Sequence, residues 1–570
     1  MCSPSRSTLL TSRFPSETGV TTTGSPAPKK ALPTNIPNLA TVLKQAGYPR
    51  VEWHGKWHVG NTPSDYGFEG WQPPDAGNYL CLNETLGGGT PDNDGRFLKD
   101  LCHSLEKYHD NTKNNNNNNN QHQHQNRDEP QPEPFCIVAS FVNPHDVYVA
   151  QHDPGMGYTR DDFYRVEVPL PSNHTEDPYG NNKPRAQGRM SSRCVPFRCS
   201  HQEYVNFYAY LHTIVDAQIG TLLDKVEALG FTDSTLILRT ADHGEQGLSH
   251  SLVEKFYNCY QESLRVPLVV SNPLAFPEPQ STDALSSHLD ILPTLAALLS
   301  GGGGSNNNND RQAPLVDSYS LQGNDLTPIL NNPQTTTTIA GSNKSKSNNE
   351  TRETTILGVQ ASIHFTYDDI PCPGAPSTIR CLHRGDLKYA VYFTPNGMDA
   401  DWELYDLSVD PLENTNVAAD PDYRAVRSDM EQELYDTMVK KGTLPRGFRW
   451  PPRGTSRSRG SIQHPPPEQH PVSYEFFDEG PFATILLGMK DARSKCTNVL
   501  MEWGVSSLSV VVQNYDATAD VSLQVKRLNG EITDAKYKIE DHGLVLTLTK
   551  KEPGAKWETV HSTVGTQQEN

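Results

Sequence analysis

Several short stretches of the chain carry side chains that could together handle a negatively charged ester. They are Cys2-Ser3-Pro4-Ser5-Arg6, Gly55-Lys56-Trp57-His58, Asn143-Pro144-His145-Asp146, Asp242-His243-Gly244 and Lys255. An activated cysteine can form a covalent bond to substrate, and lysine and arginine stabilise developing negative charge. Histidine can transfer protons, and a carboxylate beside an imidazole can hold a divalent cation. The set is therefore suited to transfer of an anionic group.

The first stretch predicts a helix that begins near the cysteine. Pro4 and Ser5 are residue types favoured at the start of a helix, and Arg6 follows Cys2 by about one turn. The amino end of a helix favours a bound anion. The alternative is a cysteine that precedes a turn and a helix without any chemical role.

The second stretch places a cation and a proton carrier two residues apart. If the segment is extended, Lys56 and His58 point to the same side. A surface strand with an exposed lysine and a packed histidine would explain the hexapeptide Gly55–Gly60 equally well.

Two further stretches each follow a predicted buried strand. His145 comes after the apolar run 135–142, and Asp242-His243 comes after the run 235–240. Open α/β sheets place their sites just beyond the carboxyl ends of strands. For His145 the alternative is a capping or packing role, and for Asp242-His243 it is an ordinary turn.

Taken in order along the chain, these motifs resemble those of type I sulfatases, the formylglycine-dependent, arylsulfatase-like enzymes of the alkaline phosphatase superfamily. The stretch Glu262-Ser263-Leu264-Arg265-Val266-Pro267, which follows Lys255, and the later runs Asp290–Leu295 and Glu403–Leu407 extend the resemblance to about residue 440. Hydrolysis of organic sulfate monoesters is the activity that the resemblance implies, with a sulfated small molecule or carbohydrate as substrate.

The resemblance also implies a role for each candidate residue. A formylglycine-generating enzyme would oxidise Cys2 to formylglycine (3-oxoalanine), whose hydrate has one hydroxyl to attack sulfur and another to expel sulfate. Arg6, His58 and His145 would be catalytic, and Lys56 and Lys255 would bind the sulfate group. Asp242, His243 and the modified Cys2 would hold a divalent cation. Imidazole is not a preferred ligand of calcium, so Ca²⁺ is expected from the resemblance and not from this donor set.

One feature of the family has no counterpart in the sequence. Sulfatases carry an Asp-Asp pair on their first strand, some tens of residues before the nucleophile, and no residue precedes Met1. We therefore expect a truncated form of an active enzyme that lacks the first strand and two metal ligands. The alternative is a metal-free relative.

The alternation of strands and helices predicts an α/β fold: a large, mixed, mostly parallel sheet flanked by helices, with a small antiparallel C-terminal sheet and an extra β module. We expect a catalytic domain at 1–330, interrupted by a disordered Asn- and Gln-rich insertion at about 111–132. A smaller antiparallel subdomain at 355–440, a linker at 443–472 and a β module of unknown role at 473–560 follow. The polar stretches 301–312 and 333–354 are predicted to be two further flexible insertions.

Composition limits the partners of the chain. The net charge of −19 argues against nucleic acid as a partner, and no apolar run reaches the roughly 18 residues of a membrane span. Glycosylation acceptors at Asn83, Asn173, Asn343 and Asn349 favour a secreted or endomembrane, lysosome-like protein. The spacings Cys194/Cys199 and Cys372/Cys381 allow short-loop disulfides, with buried free thiols as the alternative.

Two other functions fit the same motifs. One is a phosphonate or phosphodiester hydrolase of the same superfamily, whose site is built similarly. The other is an inactive, carbohydrate-binding relative in which the module at 473–560 does the binding.

Overall fold

The computed structural model describes residues 1–23, 30–73, 75, 92–119, 133–148, 158–191, 199–301, 319–340, 353–372, 374–394, 399–445 and the strands between 474 and 568. The chain divides into two units, Met1–Thr455 and Ser456–Asn570. All the candidate site residues belong to the first unit.

Ten α-helices are described in the first unit. They are α1 (Cys2–Thr11), α2 (Pro15–Thr18), α3 (Leu39–Gln45), α4 (Asp92–Asn119), α5 (Arg185–Met190), α6 (His201–Ala228), α7 (Gln261–Leu264), α8 (Ile291–Gly301), α9 (Thr327–Asn331) and α10 (Arg424–Lys441). The long helix α6 begins at Ser200, whose side chain accepts the Glu203 N–H while the Glu203 carboxylate accepts the Ser200 N–H. This reciprocal cap fixes where the helix starts.

The first unit also contains ten described strands. They are β1 (Arg50–Gly55), β2 (Phe135–Ser140), β3 (Ile237–Thr240), β4 (Leu268–Ser271), β5 (Thr336–Ala340), β6 (Glu353–Leu357), β7 (Ser362–Tyr367), β8 (Thr378–Arg384), β9 (Leu387–Phe393) and β10 (Ala400–Asp406). β1 and β2 pair in parallel, whereas β3 pairs antiparallel with β4. The strands β7 to β10 form an antiparallel sheet in the order β10-β9-β8-β7.

Apolar packing fixes the strand β1 that leads to the second motif. Trp53, Trp57 and Phe68 form edge-to-face contacts with ring centroids 5.0 to 5.6 Å apart. Helices α3 and α8 contribute buried residues to the same core, among them Val42 and Leu292. A second core joins helix α10 to the antiparallel sheet through buried residues such as Leu434 and Tyr389.

Eight strands are described in the second unit, and they form two four-stranded sheets. Its strands are β11 (Tyr474–Glu479), β12 (Phe482–Gly488), β13 (Asn498–Gly504), β14 (Ser507–Asp516), β15 (Ala519–Arg527), β16 (Ile532–Glu540), β17 (Gly543–Lys550) and β18 (His561–Gln568). Both sheets are antiparallel, in the orders β11-β12-β17-β16 and β13-β14-β15-β18.

The expected fold class, an α/β domain with a small antiparallel C-terminal sheet and a further β module, is confirmed. Some local expectations differ from the structure. Part of the stretch 333–354 is β5, which pairs with β6, because a run of β-branched threonines favours an extended chain. Helix α4 continues to Asn119 through the start of the predicted insertion at 111–132, and residues 120–132 lie outside the described residues.

The structure describes three of the four cysteines that were considered for disulfides and one of the four glycosylation acceptors. Cys199, Cys372 and Cys381 are free thiols, so no disulfide joins Cys372 to Cys381. Asn173 is half-buried and its amide donates to Asn414 Oδ1 at 3.2 Å, whereas Asn83, Asn343, Asn349 and Cys194 lie outside the described residues. No described helix combines the length and the apolar character needed to cross a bilayer.

Candidate active site

Helix α1 brings Cys2 and Arg6 into the interior. Cys2 is the first residue of the helix and is buried, and Arg6 lies one turn further on. The Arg6 guanidinium donates from Nε to Asp242 Oδ2 at 2.8 Å, and a second nitrogen donates to the Lys56 carbonyl and to Ser140 Oγ, both at 2.9 Å. Arg6 therefore links α1 by hydrogen bonds to residues at or just past the ends of β1, β2 and β3.

A close approach of two strand ends places Lys56. The backbone at Gly55 has φ +108°, and a Cβ there would lie 2.1 Å from the Ser140 carbonyl oxygen, so only glycine fits. Lys56 follows directly, and the residue is only 2% exposed. Its Nζ lies 3.9 Å from Cys2 Sγ.

His58 reaches the same region through a turn. The extended geometry expected for 56–58 is wrong, because β1 ends at Gly55 and His58 has φ 58°. The Trp57 and His58 N–H groups donate to the two oxygens of Asp75 at 2.8 Å each, which holds the turn. This turn, and not strand alternation, sets the position of His58 relative to Lys56.

His145 follows β2 on a loop fixed by the first turn of α4. Asp94 accepts the Val142 N–H at 2.7 Å and the Asn143 N–H at 2.9 Å. Burial lowers the pKa of His145 well below its ordinary value, and the charges of Lys56, Lys255 and His58 lower it further, against an opposing effect of Cys2. The His145 Nδ1 atom is buried with no hydrogen bond to any described residue.

Asp242 and His243 approach Cys2 from the end of β3. His243 Nε2 lies 3.0 Å from Cys2 Sγ, and His243 Nδ1 lies 2.8 Å from the Gly244 carbonyl. Since a carbonyl can only accept, Nδ1 carries a proton, and Nε2 accepts from the Cys2 thiol in the neutral ring or donates to the Cys2 thiolate in the charged ring. One ligand atom from each of Cys2, Asp242 and His243 lies within 4.8 Å of the others.

Charge makes this cysteine acidic. Burial raises the pKa of the Cys2 thiol, but the charges of Lys56, His243 and Lys255 outweigh burial and hold it well below its ordinary value. Burial likewise raises the pKa of Asp242, and His243 and Arg6 reverse that effect, so the carboxylate is ionised. A pocket of fixed cations favours anions at this position.

The three donors fit a divalent cation in type, with one carboxylate, one imidazole and one sulfur. Calcium prefers about six to eight oxygen ligands, and one Asp242 oxygen is already bonded to Arg6. Among the described residues, therefore, the donor set is sparse in oxygen for Ca²⁺.

Lys255 completes the group from the loop that follows β3. Its Nζ lies 3.2 Å from Glu254 Oε2, and its charge acts on Cys2 and on His145. The structure therefore gathers all eight sequence-predicted residues: Cys2, Arg6, Lys56, His58, His145, Asp242, His243 and Lys255. We refer to these eight residues as the Cys2 site.

Five supporting residues were not anticipated from the sequence: Asp75, Asp94, Ser140, Glu254 and His288. Ser140 donates to the Lys56 carbonyl at 2.8 Å, and His288 Nδ1 lies 3.0 Å from Ser5 Oγ, which donates to the Asp242 carbonyl. Ser140 could have been found as the last residue of a strand that precedes a candidate histidine. Asp75, Asp94 and His288 lie far along the chain from the residues they support, and Glu254 directly precedes Lys255, but no local pattern marks any of these four.

Comparisons with known proteins were consistent with the motifs. The family model described as Sulfatase matches residues 1–302. The chain is 24% identical to a Delta 4,5-hexuronate-2-O-sulfatase of Bacteroides thetaiotaomicron, over 77% of this chain and 79% of the relative. It is 25% identical to a choline-sulfatase of Rhizobium meliloti, over 78% of this chain and 81% of the relative.

A solved structure described as a 2-O GAG sulfatase has a similar fold. The TM-score is 0.56 at 22% sequence identity, covering 79% of this chain and 84% of that one. At this identity the likeness concerns the fold alone, and it agrees with the expected alkaline-phosphatase-like architecture.

Proposed function

The chain belongs to the sulfatase family, sulfuric ester hydrolases of the alkaline phosphatase superfamily, and we propose that it cleaves organic sulfate monoesters at the Cys2 site. The observation that carries this proposal is the convergence of Lys56, Lys255, His58 and His145 on Cys2. Among the described residues, no carboxylate lies within 4.0 Å of Lys56 Nζ. A buried lysine that is not paired with a carboxylate is suited to bind an anionic substrate.

Two chemical groups are part of the proposal. Formylglycine, if made from Cys2 by a formylglycine-generating enzyme, would supply a hydrated aldehyde with paired hydroxyls, one for attack on sulfur and one for release of sulfate. A divalent cation, with Ca²⁺ the ion that the resemblance implies, would be held by Asp242, His243 and the modified Cys2 and would supply positive charge beside the sulfate group.

The side chains of the protein divide the remaining work. Lys56 and Lys255 bind the sulfate oxygens and orient the ester. Arg6 holds the Asp242 carboxylate through the 2.8 Å hydrogen bond and leaves its second oxygen available. His58, whose backbone N–H is held by Asp75, contributes a hydrogen bond to the nucleophile.

His145 is the proposed proton donor to the leaving alcohol. Burial, and after it the neighbouring cations, hold the His145 pKa low, and a bound sulfate would offset those cations and raise the pKa. The S–O bond to the alcohol breaks as the alcohol oxygen takes this proton. The net reaction consumes one water and yields alcohol and inorganic sulfate.

A sulfated carbohydrate or a sulfated small molecule is the proposed substrate class. The names of the relatives, a hexuronate 2-O-sulfatase and a choline-sulfatase, support both kinds of ester. We also propose that the protein is secreted or resides in the endomembrane system, where such esters and the converting enzyme would meet it.

Substrate competition tests the proposal. The purified protein, produced together with a formylglycine-generating enzyme, is assayed with an aryl sulfate and with an aryl phosphodiester of the same leaving group. We expect a larger kcat/KM for the sulfate monoester. A larger kcat/KM for the phosphodiester, or binding of sulfated glycan without any turnover of either ester, would overturn the proposal.

A further inference from the structure

The loop that carries Lys255 has an unusual concentration of left-handed backbone. Five residues other than glycine between 248 and 257 have φ between 52° and 75°: Leu248, His250, Ser251, Glu254 and Tyr257. Side chains with a Cβ disfavour this conformation by about 1 kcal/mol or more per residue. All five are buried, so the surrounding packing holds the loop in this shape.

Glu254 is held in this loop at both backbone ends. Its N–H donates to Glu245 Oε1 at 2.6 Å, and its carbonyl accepts the Gln246 N–H at 2.9 Å. Glu245 Oε1 also accepts the Tyr204 hydroxyl hydrogen at 2.7 Å, which anchors the loop to helix α6. The backbone of Glu254 is therefore held in place beside Lys255.

The two neighbouring side chains form a buried ion pair at the edge of the Cys2 site. Lys255 Nζ and Glu254 Oε2 are 3.2 Å apart, and each side chain is 9% exposed. Lys255 is also one of the cations that lower the pKa of Cys2. Any anion that binds beside Cys2 must share the Lys255 ammonium with the Glu254 carboxylate.

We propose that Glu254 sets the affinity of the site for sulfate by competing with the sulfate group for Lys255. The carboxylate holds the ammonium in the empty site, and it takes up one proton when sulfate replaces it. Glu254 is a positioning residue in this account, because it acts on the substrate through Lys255. The inference rests on the proposed function only in assigning Lys255 to the sulfate group.

The charged and titratable groups around Glu254 determine the direction of the pH effect. They are Lys255 beside it, Glu245 behind it, Cys2 across the site and Tyr204 on helix α6. Burial raises the pKa of Glu254, Lys255 opposes this and Glu245 adds to it, which gives a value of about 7. Below this pH the carboxyl is neutral and leaves Lys255 free for sulfate; above it the ion pair competes, so sulfate affinity should fall as pH rises.

Calorimetric titration of the full-length, metal-loaded protein with inorganic sulfate tests this inference. Titrations at pH 6 and pH 8, each in two buffers of different ionisation enthalpy, give the Kd and the protons taken up. The variants are Glu254→Gln, which keeps the shape of the side chain, and Glu254→Gly, which suits a φ of 61° and removes the carboxyl. Glu413→Gln is the control, because Glu413 also has φ 54° and pairs with a buried lysine, Lys388, outside the Cys2 site.

We expect wild-type Kd to rise about tenfold from pH 6 to pH 8 through Glu254, with proton uptake at pH 8. In both Glu254 variants the Kd at pH 8 should fall toward the pH 6 value, and proton uptake should decrease by up to one proton per sulfate. Glu413→Gln should retain the wild-type pattern. A wild-type protein that does not bind sulfate, or Glu254 variants with unchanged pH dependence and proton uptake, would overturn the inference.

Hydrolysis is measured on the same preparations, so the two proposals can fail separately. Sulfate binding that depends on Glu254 without turnover would remove the proposed reaction and leave this inference intact. Turnover together with sulfate binding that does not depend on Glu254 would overturn this inference and leave the proposed reaction intact.

Discussion

The first unit buries two groups of charged side chains, and they differ in how completely the charges are matched. One is the Cys2 site. The other, here called the Glu403 cluster, consists of Glu176, Lys183, His250, Lys388, Glu403 and Glu413 with the tyrosines around them.

Each charged side chain of the Glu403 cluster has an ion-pair or hydrogen-bond partner. Tyr392, Gln187 and Tyr405 donate to the Glu403 carboxylate at 2.7, 3.0 and 3.1 Å. Lys388 pairs with Glu413 and donates to the Cys259 carbonyl at 2.6 Å.

Lys183 and His250 both contact Glu176 in that cluster. Lys183 Nζ lies 3.3 Å from Glu176 Oε1, and His250 Nδ1 lies 2.6 Å from Glu176 Oε2. His250 also stacks on Tyr260 with ring centroids 3.7 Å apart. Such hydrogen-bonded networks fix a single arrangement of the chain.

The Cys2 site lacks this match. Lys56 faces the Cys2 sulfur at 3.9 Å and no carboxylate within 4.0 Å among the described residues, and His145 Nδ1 has no described hydrogen-bond partner. A cluster with balanced charges stabilises structure, whereas a cluster with surplus cations and free donors is suited to receive an anion. Substitutions in the Cys2 site should therefore lower activity with little loss of stability. Substitutions in the Glu403 cluster should lower stability with little loss of activity.

The largest expected effect is at Cys2. Cys2→Ala should reduce kcat/KM for an aryl sulfate by about 10⁴-fold or more, because it removes the nucleophile. Cys199→Ala, in another buried free thiol, should remain within about threefold of wild type. Steady-state kinetics on both proteins measure this, and residual activity of Cys2→Ala above a hundredth of wild type would contradict the assignment.

The Glu403 cluster should respond in stability and not in activity. Lys388→Met leaves the buried Glu413 carboxylate without its cation, so the free energy of unfolding should fall by about 3–5 kcal/mol. Urea unfolding of the first unit, followed by tryptophan fluorescence, measures the loss. The folded fraction should retain kcat/KM; an active-site phenotype without loss of stability would abolish the contrast between the two groups.

Lys56→Met should give the converse result. The variant keeps most of the length of the side chain and removes one of the proposed sulfate-binding cations, so kcat/KM should fall about 10²–10³-fold. Because Lys56 has no matching carboxylate among the described residues, unfolding free energy should stay within about 1 kcal/mol of wild type. A destabilisation as large as that of Lys388→Met would mean that Lys56 is a structural cation.

The smallest effect concerns the protonation of His145. Its imidazole should titrate well below 6.5 in the wild-type protein, because burial and nearby cations oppose the charged form. Removing one of those cations in Lys56→Met should raise the His145 pKa by about one unit or less. NMR of histidine-labelled protein gives both values, and a downward shift would show that Lys56 does not act on this ring.

The sequence predicted the fold class and the members of the Cys2 site, but not the geometry that assembles them. Motif order was sufficient to select Cys2, Lys56 and Lys255, since each residue type has a chemical reason to be in a sulfate site. Periodicity also located helix α6 and four of the eight strands of the second unit.

The remaining features depend on contacts between distant segments. Asp75 sets the turn at His58, and Asp94 in helix α4 sets the loop at His145. The left-handed backbone of Glu254 is imposed by burial against Glu245 and helix α6, although glutamate itself disfavours it. Local propensity cannot supply such information, because the determining partner lies elsewhere in the chain.

The most direct test relates turnover to the chemical state of Cys2. Preparations with different degrees of conversion are made by varying the amount of formylglycine-generating enzyme, and mass spectrometry of the Cys2 peptide gives the aldehyde fraction in each. The rate of sulfate release should be proportional to that fraction and should reach zero when the cysteine is unmodified. Full conversion without sulfate release, or release by unmodified protein, would contradict the proposed function of the Cys2 site.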